Sequence, residues 1–309
     1  MRSTILTLSV SCALLTGCGG GGGGAAQADP PALNSPNIVV GPGGTSSAAP
    51  VYATGTDADL RSGITYPLYQ NVARPEGQSP GGVSGSLTND NDASSVILHT
   101  NVDGKAADVV FDPSTVVSHT ADTLTAKKSQ GGLDYTILLA GPASLDYALY
   151  GAWMQENGDQ VLQSNELVAA AYGGLETPLN NMPTAGAFTY TGQTLGLGVD
   201  SAGNIAGIAG NLSLTADFAS HSVNGAINNM ALSTAAGVSY PGTTAQLNGG
   251  ISGNGFNGTM DVKNASSAAV GSGTFDGRFF GPNAEEVAGK WAYDGSDGSK
   301  AIGAFGAKR

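Results

Sequence analysis

From Gly186 to the C-terminus, short apolar runs with an every-other-residue pattern recur every 10 to 15 residues, each closed by Gly, Asn or Asp. No other feature constrains the fold as strongly, because a period of two places alternate side chains on opposite faces of a strand. The runs are Ala187–Gln193, Ile205–Asp217, Ser222–Asn228, Ala245–Ser252, Gly255–Val262, Val270–Phe280, Val287–Tyr293 and Ile302–Ala307. Eight such runs without crossover helices predict an eight-stranded antiparallel up-and-down β-barrel over 186–309. Closure removes the free edges that weakly charged strands would otherwise leave open to aggregation. The 24 Gly among these 124 residues are expected at hairpins and bends. Pro282–Glu286 is expected to form a single helical turn between strands.

The preceding stretch, 51–185, is expected to be a separate β-rich domain, which makes the fold class all-β. Val96–Thr100, Ala107–Phe111 and Tyr135–Leu139 are rich in β-branched and aromatic residues. Leu145–Met154 alternates, with Leu145, Tyr147, Leu149, Gly151 and Trp153 on one face. Asp122–Ser129 is the only helix candidate. With 48 Gly in 309 residues, no long stretch is free of a residue that costs a helix interior about 1 kcal/mol, so a helical bundle is excluded. The absence of a Gly-X-Y period excludes collagen. The formal charge is −12, and no basic cluster is denser than Lys127-Lys128, so nucleic acid is not an expected partner. The charge is uneven: 51–185 holds 15 acids and 5 bases, whereas 186–309 holds 8 and 6.

At the N-terminus, Arg2 precedes the apolar run Ile5–Leu15, which is too short to span a bilayer. The run ends in Leu15-Thr16-Gly17-Cys18, which resembles the lipobox of bacterial lipoproteins. That resemblance implies a signal peptide over 1–17 and a lipidated, palmitate-bearing Cys18. With Gly19 rather than Asp next, it implies an outer-membrane destination, reached through the acyl chains alone. Cys12 leaves with the signal, so neither a disulfide nor a free thiol remains. Residues 19–50 contain nine Gly, five Pro and one charge, Asp29, and are expected with Cys18 to form a flexible tether. Its root-mean-square span would be roughly 30 Å.

Signals for chemistry are weak. His99, His119 and His221 sit in no metal or nucleophile motif. Gly253–Gly258 matches G-x-G-x-x-G but opens no helix, and Asp90-Asn91-Asp92 lacks the rest of a calcium loop. An enzyme, a metal site and a nucleotide site are therefore not expected. His99 follows Val96-Ile97-Leu98, and His119 follows Val116-Val117. Because haem needs an axial ligand beside apolar surface, these two are the candidate haem ligands, with no choice between them.

The most specific stretch is Gly273-Thr-Phe-Asp-Gly-Arg-Phe-Phe-Gly-Pro-Asn-Ala-Glu-Glu-Val-Ala-Gly-Lys-Trp291, followed by Ile302-Gly-Ala-Phe-Gly-Ala-Lys-Arg309. It resembles the closing strands of the transferrin-binding protein B family. Tyr190-Thr-Gly192, Leu212–Phe218 and Val223-Asn-Gly225 are similar to earlier strands of the same barrel. The resemblance covers 186–309 and reaches 51–185 only through Leu145-Asp-Tyr and Gly151-Ala-Trp153. It implies a surface lipoprotein in which a handle domain precedes the barrel. As a non-enzymatic binding module, it would capture a host or environmental protein carrying iron or haem. The family's transferrin binders have two such lobes and this chain has room for one. Single-lobed relatives include haem, haemoglobin and complement-regulator binders, so a binder with no iron role is an alternative, as is a structural or barrier lipoprotein. The motif residues themselves read as structural: Phe279, Phe280, Trp291 and Phe305 are expected in the core, and no binding residue is carried over.

Overall fold

The computed structural model describes residues 38–45, 64–75, 78–89, 95–120, 123–140, 145–157, 166–200, 205–234, 237–239 and 242–309. Cys18, the first part of the expected tether and Asp90–Asp92 lie outside them.

Among the described residues the N-terminal half contributes twelve strands: β1 (Ile38–Pro42), β2 (Gly44–Thr45), β3 (Thr65–Pro67), β4 (Tyr69–Pro75), β5 (Val83–Asn89), β6 (Val96–Val102), β7 (Lys105–Phe111), β8 (Val116–His119), β9 (Thr123–Gln130), β10 (Leu133–Ala140), β11 (Ala148–Glu156) and β12 (Leu167–Gly174). They form two sheets. The larger runs in the order β1-β4-β12-β11-β10-β9-β8, and the smaller runs β2-β5-β6-β7 with β3 paired to β5. Leu87, Leu98, Val109 and Phe111 of the small sheet share one core with Val72, Tyr135, Ile137 and Trp153 of the large one. At its centre the Trp153 Nε1–H donates to Gln70 Oε1 at 3.0 Å, so the buried indole keeps its partner.

Two expectations change here. The tether was expected to run through residue 50, yet Ile38–Pro42 pairs antiparallel with Asn71–Pro75, and Gly44–Thr45 pairs with Ser84–Gly85. The β-branched Ile38-Val39-Val40 supplies strand propensity that the surrounding Gly and Pro conceal. Asp122–Ser129 was expected to be helical, and its described part is strand β9, paired along its length with β10. Gly131 and Gly132, with φ of 63° and 81°, close the β9–β10 hairpin in the conformation a two-residue turn requires. Ala126 enters the core between the two sheets, so tertiary pairing overrides the local helix preference of Ala-Lys-Lys. The single face expected at Leu145–Met154 is not found: the strand begins only at Ala148, and Leu149 and Trp153 enter the core between the sheets whereas Leu145 and Tyr147 pack with Tyr150 in a second cluster.

The C-terminal half closes into a barrel. Its walls are β13 (Ala187–Val199), β14 (Ile205–Asp217), β15 (Ser222–Thr234), β17 (Thr244–Ser252), β18 (Gly255–Lys263), β19 (Ala269–Phe280), β20 (Glu286–Gly295) and β21 (Lys300–Lys308), with a short β16 (Gly237–Ser239) beside β15. Each wall strand pairs antiparallel with the next, and β13 meets β21 to close the ring. The expected eight-stranded barrel is thus present, and every expected strand lies within an observed one. Pro282–Glu286 is a turn that runs directly into β20 rather than a helical turn. The interior is filled by Tyr190, Phe218, Phe256, Met260, Phe275, Phe279, Trp291 and Phe305. Phe256 stands at the centre, with ring centroids 5.2 Å from Phe279 and 6.4 Å from Phe305. Like other small barrels, this one is a packed core rather than a channel.

Candidate functional site: the handle–barrel junction and the open sheet edges

The closing motif has two faces. Along β19 and β20 the inward residues Phe275, Phe279, Val287 and Trp291 fill the barrel. Their neighbours Asp276, Arg278, Phe280, Glu286, Ala288 and Lys290 alternate outward, as strand geometry dictates. These outward side chains meet the large handle sheet. Phe280, Ala288, Ile302 and Ala304 pack with Tyr150, Ala170 and Tyr172 in one shared cluster. The large sheet is therefore buried on both faces, which is why β12 (Leu-Val-Ala-Ala-Ala-Tyr-Gly-Gly) reads as a continuous apolar run instead of an alternating one.

Polar groups fix the register of this contact at three points. The Glu286 carboxylate, 2% exposed, accepts the backbone N–H groups of Asp146, Tyr147 and Ala148 at 2.6, 3.0 and 2.9 Å. Burial pushes its carboxyl above the ordinary range and outweighs the opposing pull of those three donors. At the second point Glu176 accepts from Tyr69 Oη at 2.7 Å, from Asn254 at 2.9 Å and from Arg278 at 3.0 Å. The Arg278 guanidinium also lies 4.6 Å from the centre of the Tyr69 ring. Burial, with the neighbouring carboxylate second, raises the Tyr69 phenol above its ordinary range, so it remains a donor. At the third point Asp276 takes Lys290 Nζ at 2.6 Å and Tyr172 Oη at 3.0 Å, while Lys290 also reaches Asn71.

Sequence reasoning read this motif as barrel closure alone. Its aromatics are indeed buried, but Phe280 faces the handle, and the charged residues between them bind the two halves together. The alternation of aromatic and charged residues was the available signal. The barrel glycines also differ from expectation. Besides hairpins, they occupy strand interiors where a ring lies across the backbone: a Cβ on Gly196 would stand 2.9 Å from Trp291 Cζ2, and one on Gly306 would enter the Tyr150 ring.

The two candidate haem ligands are placed on different sheets. His99 lies on β6 with both ring nitrogens engaged, one with Thr88 Oγ1 at 2.8 Å and the other with Asp108 Oδ1 at 2.7 Å. Ligating iron would require it to give up one of these bonds. His119 ends β8 and is exposed. His221 occupies a turn with φ of 54°, and Gly253–Gly258 forms a β-hairpin. Two small apolar cavities, of about 10 Å³ inside the handle core and about 30 Å³ between β10–β11 and β13, have room for no more than a water molecule or two. Among the described residues, the two handle sheets end at the edge strands β7 and β8.

Residues 182–309 match the family model described as the C-lobe and N-lobe beta barrels of Tf-binding protein B. Residues 182–309 are thus similar to the barrels of that family. A curated relative, the Neisserial heparin binding antigen of Neisseria meningitidis serogroup B, is 33% identical over 133 residues, which is 43% of this chain and 24% of the relative. The chain thus spans about a quarter of the length of the curated relative it matches. Solved structures similar to it include transferrin binding protein B of Haemophilus parasuis Hp5, at 16% identity over 79% of this chain and 60% of that one, with a TM-score of 0.46. The isotype 1 protein of serogroup B N. meningitidis aligns at 16% identity over 79% of this chain and 58% of that one, with a TM-score of 0.40. The family match begins where the barrel begins, and the twelve strands of the handle lie before it.

Proposed function

We propose that the protein is a lipid-anchored, surface-displayed binding module with no chemistry of its own, which captures a host or environmental protein carrying iron or haem. The observation that carries this reading is the match of 182–309 to the barrels of transferrin-binding protein B. The filled barrel agrees with it, because a core packed with aromatic rings leaves recognition to the outer surface. The lipobox resemblance at Cys18 supplies the anchor, and the pairing of Ile38–Thr45 within the handle leaves residues 19–37 between the anchor and the first strand.

Replacing Cys18 with Ala should move the protein from the membrane fraction to the soluble fraction. Retention in the outer-membrane fraction would end the lipid-anchor reading. Affinity capture from serum or medium with the intact chain should recover a stoichiometric protein, whereas a barrier role predicts none. Since 51–185 carries a net charge of −10, the contact surface of that protein should be basic, and raising the salt from about 0.05 to about 0.5 M should weaken capture roughly tenfold. Affinity indifferent to salt would remove the electrostatic part. Heparin, which the Neisserial antigen is named for binding, is a polyanion. With 24 acids against 12 bases, this chain should pass through a heparin column at physiological ionic strength.

A further inference from the structure

The corner at which β7 turns into β8 stands apart from the rest of the surface. Among the described residues, four large hydrophobic side chains are exposed, and three of them fall within eight residues of this corner: Val110 at 40%, Val116 at 39% and Val117 at 49%. Val110 lies on the outward face of β7, and Val116 and Val117 lie on β8. Both strands are terminal in their sheets, β7 in the small one and β8 in the large one. All four residues of β8 are exposed, and among the described residues the strand is paired on one side only, to β9. One carboxylate stands at the corner: Asp112 accepts from Ser114 and is not ion-paired to a lysine or arginine among the described residues.

We propose that this corner is a strand-addition site for an extended segment of a partner protein in which β-branched residues alternate with Lys or Arg. A free strand edge supplies main-chain donors and acceptors to an incoming strand, and the period of two sends alternate side chains to opposite faces. The β-branched residues would cover Val116 and Val117, while a cationic one would meet Asp112 within a domain of net charge −10. Because β8 has four residues and a register shift between Val116 and Ser118, the added strand is short, and side-chain charge must supplement main-chain pairing. The inference rests on the binding-module reading and names the chemistry of its partner.

The test uses the intact chain and a capped octapeptide of alternating Lys and Val. Binding is followed by titration, and backbone hydrogen exchange locates the peptide. The expected result is slowed exchange at Val116–His119, with at least tenfold weaker binding for a Glu-Val octapeptide and for a Lys-Val octapeptide N-methylated at Val. Val117→Lys, on an exposed position, should weaken binding at least tenfold without moving the thermal midpoint. No protection at millimolar peptide, equal binding of the N-methylated peptide, or protection elsewhere would overturn the proposal. Protection of Val116–His119 that grows with protein concentration in the absence of peptide would also overturn it, and would assign the edge to a second copy. If V117K captures the serum or medium partner with unchanged affinity, this site falls while the binding-module reading stands. If the corner binds the peptide and the intact chain captures no protein, the reverse holds.

Discussion

Replacing Glu286 with Ala should destabilise the protein by about 3–5 kcal/mol, because three backbone N–H groups at the start of β11 lose their shared acceptor in a buried setting. For a body of this size the thermal midpoint should fall by on the order of 10 °C. The sharper expectation concerns cooperativity. Removing this acceptor loosens the handle from the barrel, so unfolding should separate into two steps, seen as a second calorimetric transition. Glu286→Gln, which keeps the volume and one acceptor oxygen, should lose less. The dependence on pH has a definite sign. Burial raises the carboxyl above its unfolded value, so the charged form bears a cost in the folded state that is relieved as pH falls through the raised value. Acid therefore does not open the junction through Glu286, and the stability of the Gln variant should lack this component. A Glu286→Ala protein with an unchanged midpoint would show that the contact is incidental.

The second large effect is expected inside the barrel. Trp291 is 2% exposed, lies across Gly196 and Gly303, and donates its Nε1–H to Thr194 Oγ1 at 2.8 Å. Trp291→Ala should cost about 3–5 kcal/mol, because glycines with no side chain to collapse inward cannot refill the space. Trp291→Phe keeps most of the ring and loses the hydrogen bond, for about 1–2 kcal/mol. Chemical denaturation with the midpoint read for each variant checks both values. If the Ala variant lost less than the Phe variant, the packing account of the barrel would be wrong.

The barrel was legible in the sequence because each of its strands keeps one face on a single core, which writes a period of two into the chain. The handle was less legible for a physical reason. Its large sheet lies between two cores, so Leu167–Gly174 is apolar throughout and bears no alternation to read. The strand at Ile38–Pro42 lay inside a Gly- and Pro-rich stretch, and composition outweighed three β-branched or aliphatic residues. The Gly131-Gly132 pair marked a hairpin, but the lysines before it suggested a helix until pairing with β10 decided the matter. At the junction the residues were all in view within one motif. What the sequence did not show was the partner surface of Asp276, Arg278, Glu286 and Lys290, since Tyr69, Asn71, Tyr172 and the amides of 146–148 lie more than 100 residues away. Only Lys290 and Asp276, opposite each other on β20 and β19, could have been paired from strand register.

The central claim is that handle and barrel form one rigid body joined through the outward face of the closing motif. The two tryptophans of the chain fall one in each half, Trp153 in the handle core and Trp291 in the barrel. Denaturant unfolding should therefore be followed by fluorescence in Trp291→Phe, which reports Trp153 alone, and in Trp153→Phe, which reports Trp291 alone, each alongside far-UV circular dichroism. The account predicts that within each variant the tryptophan and the backbone signal move together in a single transition. A tryptophan that reports its own half unfolding while the backbone signal of the other half persists would contradict it.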